Sequence, residues 1–171
     1  MNFLPEEKQK DGILSATHYK DIYRKEKTEQ AKEYQDFVCS WIAKNYGLVL
    51  SIFTSKKYQQ KTGESLQGIE IKYDMKMQET GNIYIETGEK AYPRDGKYFP
   101  SGIYANDNSW LYLIGNYEKM YVFSKKQLRN VYEKLMFSRI ISDNETKTST
   151  GFLLDTELSE KYCIMKFNFK S

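Results

Sequence analysis

The stretch GIEIKYDMKMQETGNIYIETGEK, residues 68–90, constrains the fold most strongly, because apolar and polar side chains alternate along it in two short runs. The first run is IEIKYD and the second is IYIE, and a polar break ending in Gly81-Asn82 separates them. A period of two residues is typical of a β-strand with one buried face. Two such runs joined by a short polar segment predict a β-hairpin, with strands at roughly Gly68–Met75 and Asn82–Thr87.

The rest of the chain predicts two helices and several further strands around this hairpin. Apolar residues recur at helical spacing in 28–45, where Thr28 is a candidate N-cap, and again in 124–137. Short apolar runs predict strands at Leu48–Phe53, Trp110–Ile114 and Met120–Phe123, and the tail YCIMKFNF predicts a final strand. Consecutive strands with short connections favour a meander. We therefore expect an α/β fold with a mixed, largely antiparallel central sheet flanked by helices.

Composition narrows the class of protein without identifying a function. A chain of 171 residues suits a single domain, with the first 25 or so residues, roughly, as an arm or an extra helix. One histidine and two cysteines, Cys39 and Cys163, argue against a histidine-based triad, a disulfide framework or a zinc site. No apolar run is long enough to span a membrane, and the polar N-terminus does not resemble a secretory signal. We expect a soluble cytoplasmic protein.

The charged residues of the expected hairpin allow two interpretations. If the turn centres near residues 78–81, Asp74 lies opposite Glu86, and Glu70 and Lys72 share their face of the hairpin. Opposed carboxylates repel each other unless a cation lies between them, and Mg²⁺ is commonly held by one or two carboxylates together with water and phosphate. The alternative is a solvent-exposed face with ordinary mixed charges. The residue types alone leave both interpretations open.

The order of these features resembles the PD-(D/E)xK nuclease superfamily, the fold of many type II restriction enzymes. The resemblance extends from about Thr28 to Phe169 and depends on the segments GESLQGIEIKYD, TGNIYIETGEK and PSGIYANDNSWLYL. It implies a restriction endonuclease-like fold in which Asp74 is the family's aspartate and Glu86 its second acid. It also implies that Glu33, on the first predicted helix, supports the metal site.

The sequence departs from the family pattern at the lysine. The family lysine should stand two residues after the second acid, and the residue two positions after Glu86 is Gly88. In this assignment Lys72, on the neighbouring strand, or Lys90 would have to supply the amine.

A second assignment of the motif also exists. The triplet Glu70-Ile71-Lys72 matches the acid–x–lysine pattern of the family, with Glu64 in the position of the aspartate. We favour the first assignment, because the expected hairpin opposes Asp74 and Glu86 across a tight turn. Glu70 would then be a supporting group.

Basic residues are dense in two places that suit contact with phosphate. They are Lys56, Lys57 and Lys61 in one segment, and Lys125, Lys126 and Arg129 in the other. Such groups position a nucleic-acid backbone through its phosphates. Solvated helix faces explain the same residues equally well, since the net charge is only +3.

The expected function is therefore a Mg²⁺-dependent nuclease acting on nucleic acid, with DNA as the expected substrate and Mn²⁺ as a substitute metal. In this hypothesis Asp74 and Glu86 hold the metal, and Lys72 or Lys90 stabilises the developing negative charge. Cutting both strands would require a homodimer or two successive events. Two other classes stay open: a non-catalytic nucleic-acid-binding or inhibitory protein on the same fold, favoured by Gly88, and a protein-interaction module with a merely solvated hairpin.

Overall fold

The computed structural model describes residues 16–91, 96–135, 140–141 and 148–169. The helices are α1 (Ala16–Tyr46), α2 (Lys56–Thr62), α3 (Met77–Thr80), α4 (Lys125–Leu135) and α5 (Thr156–Tyr162), with a 3-10 turn at Gly102–Tyr104. The strands are β1 (Ile69–Tyr73), β2 (Asn82–Glu89), β3 (Phe99–Pro100), β4 (Leu111–Gly115), β5 (Lys119–Ser124), β6 (Ile140–Ile141), β7 (Ser149–Asp155) and β8 (Met165–Asn168). The coarse class, a mixed α/β protein, is confirmed.

The long helix α1 packs on one face of a four-stranded sheet through a narrow apolar stripe. Tyr34, Val38 and Ile42 follow one another at four-residue spacing and are buried, as a helix with one packed face requires. The helix ends at Gly47, whose positive φ of 67° and N–H donation to the Ala43 carbonyl form a left-handed cap. The predicted helix over 28–45 is confirmed within α1, but Thr28 is not its N-cap, because the helix already begins at Ala16.

The first sheet has the strand order β1-β4-β5-β8. β1 is parallel to β4, and the other neighbours are antiparallel. Alternation along its central strands divides the apolar side chains between two faces. Leu113, Met120 and Val122 face α1, whereas Tyr112 and Phe123 belong to the core on the opposite face.

The second sheet, in the order β3-β2-β7-β6, covers that opposite face. All its strand pairs are antiparallel. Its buried residues Ile83, Ile85, Phe152 and Leu154 join the first sheet and Leu128 of α4 in one hydrophobic core. The molecule therefore layers α1, the first sheet and the second sheet, with one hydrophobic core shared between the two sheets.

The predicted hairpin over residues 68–87 is wrong. β1 pairs with β4, while β2 pairs with β7 and β3, so the two strands lie in different sheets. The connection between them is the helical turn α3, which ends at Gly81 with a left-handed φ of 67°. The physical reason is that each strand finds its partner far away in sequence, and the connection carries the chain from one sheet to the other.

Several other expectations can be compared directly with the structure. The strands predicted at 110–114 and 120–123 are confirmed as β4 and β5, the helix predicted over 124–137 is confirmed as α4 over its described part, and the tail contains β8. The strand predicted at Leu48–Phe53 is wrong, because only Ile52 forms an isolated bridge, to Ser65. The expected N-terminal arm or extra helix is in part the beginning of α1; residues 1–15 lie outside the described residues. Among the described helices, none is both long and apolar enough to cross a membrane.

Candidate functional site: an acid–lysine cluster beside a cleft

The polar face of β1 points into the protein rather than into solvent. Ile69 and Ile71 pack in the core under α1, so the alternation of a strand turns Glu70 and Lys72 toward the side of the second sheet. Glu70 is only 7% exposed. The interpretation of these charges as a solvated face is therefore wrong for Glu70, and a buried carboxylate requires compensating partners.

Those partners form what we call the acid–lysine cluster, which consists of Glu64, Glu70, Lys72, Asp107 and Lys125. Glu70 Oε1 lies 2.8 Å from Lys72 Nζ, and Glu70 Oε2 lies 2.9 Å from Lys125 Nζ. Lys125 also donates a hydrogen bond to Asp107 Oδ1 at 3.2 Å. Lys72 Nζ lies 3.8 Å from Glu64 Oε1. The two lysines thus connect three carboxylates in a chain of ion pairs.

Local backbone contacts hold the outer members of the cluster in place. Glu64 follows α2, and its Oε2 accepts a hydrogen bond from the Ile71 N–H at 2.8 Å. Asp107 lies in the loop before β4 and accepts from the Ser109 N–H at 2.9 Å. Lys125 is the first residue of α4, and its own N–H donates to the Trp110 carbonyl. Each charged group is therefore anchored by a different element.

The pKa values of the two glutamates in the cluster are shifted in opposite directions. Burial raises the pKa of Glu64, and the attraction of Lys72 and the Ile71 N–H only partly offsets it. Burial acts in the same direction on Glu70, but Lys72 and Lys125 outweigh it and hold the pKa of Glu70 below its ordinary value. For Lys72, burial lowers the pKa, yet Glu70 and Glu64 outweigh burial and hold it well above the usual range. Glu70 is thus an anion and Lys72 a cation at neutral pH.

Asp74 has a different environment from that expected. Its Oδ2 accepts a hydrogen bond from the Tyr84 N–H at 2.8 Å, and its Oδ1 accepts one from the Lys76 N–H at 3.0 Å. Burial raises the pKa of Asp74, while backbone donors, including the Met77 N–H, work against that rise. The carboxylate stabilises the connection between β1 and β2 by binding an N–H group in the connection and another in β2. The expected opposition of Asp74 and Glu86 across a hairpin is wrong, because Glu86 pairs with Gly151 of β7.

Glu86 is held by hydroxyl groups. Its Oε1 accepts from Ser101 Oγ at 2.7 Å and its Oε2 from Ser149 Oγ at 2.9 Å. Ser149 Oγ also lies 3.0 Å from the Tyr84 hydroxyl. Glu86 contributes to the raised pKa of Lys72, so its charge acts on the cluster although it is not ion-paired to it in any described contact.

The two remaining candidates of the first assignment lie elsewhere. Glu33 is exposed on α1, where the inward residue is its neighbour Tyr34, and its charge acts on Tyr117. Lys90 follows β2, and its ammonium lies over the Tyr98 ring at 4.8 Å. Neither contacts the acid–lysine cluster among the interactions described. Asp74 and Glu86 both line the cleft described below, but Glu33 does not join them, so the described residues do not bring these three carboxylates together as a metal site.

The residues proposed to contact phosphate fall into three groups. Lys57 and Lys61 of α2 and Lys126 of α4 are exposed; Lys56 lies in α2, with its side chain outside the description. Arg129 is half-buried, donates from Nε to the Ile103 carbonyl at 2.5 Å and lies over the Tyr104 ring. Lys125 is only 2% exposed. Its assignment to a nucleic-acid surface is wrong, because its ammonium forms ion pairs with the buried carboxylates of Glu70 and Asp107.

A cleft of about 890 Å³ opens beside the cluster. We call it the cleft; its walls come from residues 26–31 of α1, from the connection 74–80 and from β2. Lys72 and Tyr112 link it to the acid–lysine cluster, and Glu86 and Ser149 line it from the second sheet. The Lys72 side chain is 38% exposed, so its ammonium is the member of the Glu70–Lys72–Lys125 series that a ligand in the cleft can reach.

The glutamates of the acid–lysine cluster are paired with ammonium groups. Among the residues in the described ranges, no group of three or more aspartate, glutamate, histidine or cysteine side chains is placed to hold a metal ion. Two carboxylates, from Glu64 and Glu70, nevertheless approach the same cationic group, the Lys72 ammonium. Mg²⁺ is usually held by one or two carboxylates with water and substrate phosphate; it would use this pair only by replacing the ammonium groups that now contact it.

Of the cluster members, Asp107 was missed as a site residue by the sequence reasoning, and Lys125 was assigned to a phosphate-contacting surface instead of to this cluster. Asp107 lies in a polar loop, and Lys125 follows a strand at the start of a helix; both positions are commonly exposed. Comparison with known proteins adds no further guide, since no family model, curated protein or solved structure matches the chain.

Proposed function

We propose that the chain is a metal-dependent nuclease that hydrolyses phosphodiester bonds of DNA, on a restriction endonuclease-like fold, with its site at Glu64, Glu70 and Lys72. The observation that carries this proposal is the 2.8 Å ion pair between Glu70 and Lys72, in which Lys72 also approaches Glu64 and lines the cleft. This is the second assignment of the acid–x–lysine motif. It replaces the first because Asp74 is engaged by backbone amides.

The residues divide the work in the following way. Glu64 and Glu70 are the pair that would hold Mg²⁺ or Mn²⁺, and such an ion, when bound, polarises a phosphoryl oxygen and activates water. Lys72 provides a fixed positive charge beside the scissile phosphate, where negative charge develops. Its 3.8 Å distance to Glu64 is too long for a hydrogen bond. A phosphate oxygen in the cleft can therefore replace this contact at little cost.

Lys125 and Asp107 support the site from inside the protein. Lys125 is bound to the oxygen of Glu70 that faces away from Lys72, and Asp107 fixes Lys125. This arrangement keeps Glu70 charged and oriented. Neither group is exposed to the cleft, so neither contacts the substrate.

The test is cleavage of plasmid and labelled single- and double-stranded oligonucleotides in Mg²⁺, Mn²⁺ or EDTA. Wild type is compared with Glu70→Gln, Lys72→Met and the matched control Asp74→Asn. We expect the first two changes to lower the rate by about 10²–10³, the scale of losing one transition-state stabilising group. Asp74→Asn should keep most of the activity. Activity lost in Asp74→Asn but retained in Glu70→Gln would overturn the assignment.

A second candidate function, a non-catalytic nucleic-acid-binding protein on the same fold, is favoured by one observation. Both carboxylate oxygens of Glu70 already lie within 3 Å of ammonium groups. In this candidate the lysines permanently occupy the place of the cation. Melting temperature with added Mg²⁺ separates the two: a real site stabilises the fold by mass action, and Glu70→Gln abolishes that shift. Nucleic-acid binding with no Mg²⁺ shift and no cleavage would select the binding protein.

A further inference from the structure

We propose that strand β8 pairs with β8 of a second copy of this chain, so that the protein forms a symmetric dimer through the edge of its first sheet. Among the strands in the described ranges, β5 is the one neighbour of β8. The opposite edge of this sheet is β1. The proposed interface therefore lies apart from the acid–lysine cluster and does not depend on the nuclease.

The outer side of β8 presents backbone groups with which no other described strand pairs. Hydrogen bonding alternates from residue to residue along an antiparallel pair. The Phe169 N–H donates to the carbonyl of Glu118, the residue before β5. The N–H and C=O groups of Lys166 and Asn168 therefore point away from β5, where a further strand can bind them.

The other edge of the same sheet is capped by side chains. Ser65 Oγ accepts a hydrogen bond from the Ile69 N–H at 2.8 Å, and Glu64 Oε2 accepts one from the Ile71 N–H at 2.8 Å. Proteins commonly block an exposed strand edge, because an open edge recruits another strand. The first sheet thus has one edge that its own chain caps and one that stays open to a partner.

The side chains around this open edge favour a partner strand over water. Ile164 is 55% exposed and Met165 is 49% exposed. A lysine on an edge strand often prevents pairing. Here the Lys166 ammonium lies 2.6 Å from Glu160 Oε1 of α5, so its charge is held against its own chain and leaves the edge accessible.

The sequence of β8 is complementary to its own reverse, which identifies the partner as a second copy. With the two-fold axis at Phe167, Lys166 lies opposite the partner's Asn168, and each such pair exchanges both its N–H···O bonds. Phe167 then faces the partner's Phe167 at a position without backbone bonds, where side chains are closest. Polar residues therefore meet polar residues, and no two like charges are opposed.

The aromatic residues of α1 extend this complementarity. The Phe167 ring lies 4.9 Å from the Trp41 ring and 5.7 Å from the Tyr46 ring, between centroids, and Tyr46 is 59% exposed. A two-fold axis perpendicular to the sheet keeps α1 of both copies on the same face. The dimer thus joins two aromatic clusters across one self-complementary patch, as an isologous interface requires.

The test measures the mass of the full chain in solution by sedimentation velocity over a dilution series. Asn168→Pro removes an outward N–H that the fold itself does not use, and proline is tolerated at such an edge position. Met165→Lys adds a charge beside the axis. Leu153→Lys is its matched control, because Leu153 is 44% exposed but lies in the second sheet. Circular dichroism and melting temperature confirm that the variants fold.

A disulfide tests the position of the axis. In a background with Cys39→Ser and Cys163→Ser, Phe167→Cys should link to its own copy under mild oxidation. The Cα atoms of such an unbonded pair are about 4.5 Å apart, within the range of about 4.4–6.8 Å that a disulfide spans. Met165→Cys is the control, because the proposed register places it opposite the partner's Phe169.

The expected result is a wild-type chain with the mass of two copies at high concentration and of one copy on dilution. Asn168→Pro and Met165→Lys should each weaken the dimer by about tenfold or more, and Leu153→Lys should leave it unchanged. A wild-type chain that stays monomeric at every concentration would overturn the proposal and leave the edge to a strand of another protein. A dimer that folded Asn168→Pro does not weaken, or that links through Met165→Cys as readily as through Phe167→Cys, would place the interface elsewhere.

Discussion

Glu70 lies in β1 and Asp74 directly after it, yet their carboxylates are bound in opposite ways. Glu70 faces the ammonium groups of Lys72 and Lys125. Asp74 faces backbone N–H groups, those of Lys76 and Tyr84. Both residues are acids in the same motif-like stretch, so residue type alone does not separate them.

The two carboxylates differ in whether the groups that bind them can move to another partner. Backbone amides at a turn are fixed donors, and a carboxylate that satisfies them has a structural role, because its removal takes away the acceptor of those amides. An ammonium group on a flexible side chain can move to another anion. Lys72 is therefore able to exchange Glu64 for a phosphate, whereas Asp74 cannot leave its amides without opening the connection between the two sheets.

Lys125→Met gives the largest expected effect on stability. The change removes one charge from the buried Glu70–Lys125–Asp107 series, and breaking a buried ion pair by removing one partner costs about 3–5 kcal/mol. Chemical denaturation measures the free energy of unfolding directly. The result tests whether the ion pairs of Glu70 are a structural requirement.

Lys126→Met is the matched control for that variant. Lys126 is the next residue of α4 and is exposed, and exposed substitutions usually change stability by within about 0.5 kcal/mol. A cost at Lys126 equal to that at Lys125 would contradict the buried ion pairs.

Asp74→Ala has the next largest expected effect. Without the carboxylate, the partly buried Tyr84 N–H and the exposed Lys76 N–H lose their acceptors, and losing a hydrogen bond to a charged group costs about 1.5–3 kcal/mol. Asp74→Asn keeps one carbonyl oxygen and should recover part of this loss. Thermal unfolding of both variants checks the order. An Asp74→Ala variant as stable as wild type would show that these amides find other partners.

Local features of the fold could be predicted from the sequence, and long-range pairing could not. β4 and β5 are adjacent strands joined by a short turn, and α4 has a clear helical period, so contacts between near neighbours determine them. The pairing of β1 with β4 and of β2 with β7 joins segments distant in sequence. A two-residue period shows which side chains share a face but does not identify the neighbouring strand.

The same limit explains why the hairpin, on which the first site assignment depended, was predicted wrongly. The pattern of β1 places Glu70 and Lys72 on one face correctly, but the burial of that face depends on the second sheet and on Lys125 of α4. Alternation in an isolated strand looks the same whether its polar side faces water or ion pairs. The triplet Glu70-Ile71-Lys72 was visible in the sequence; its partners Asp107 and Lys125 became evident only when the chain was folded.

The smallest expected effect, and the most direct test of the comparison, is a difference in pH dependence. Burial raises the pKa of Asp74 despite its backbone donors, so between the unfolded value of about 3.9 and the folded value the native state binds more protons. Its contribution to stability therefore decreases as pH rises through that window. Burial also favours a raised pKa for Glu70, but Lys72 and Lys125 reverse the shift. Glu70 therefore contributes stability that is present above the unfolded value of about 4.3 and is lost as pH falls through the folded pKa.

Measured by urea unfolding across this acid range, wild type should gain stability relative to Glu70→Gln as pH rises and lose stability relative to Asp74→Asn. Trends of the same sign in the two variants would contradict the different environments described, because burial dominates at Asp74 and the ammonium partners dominate at Glu70.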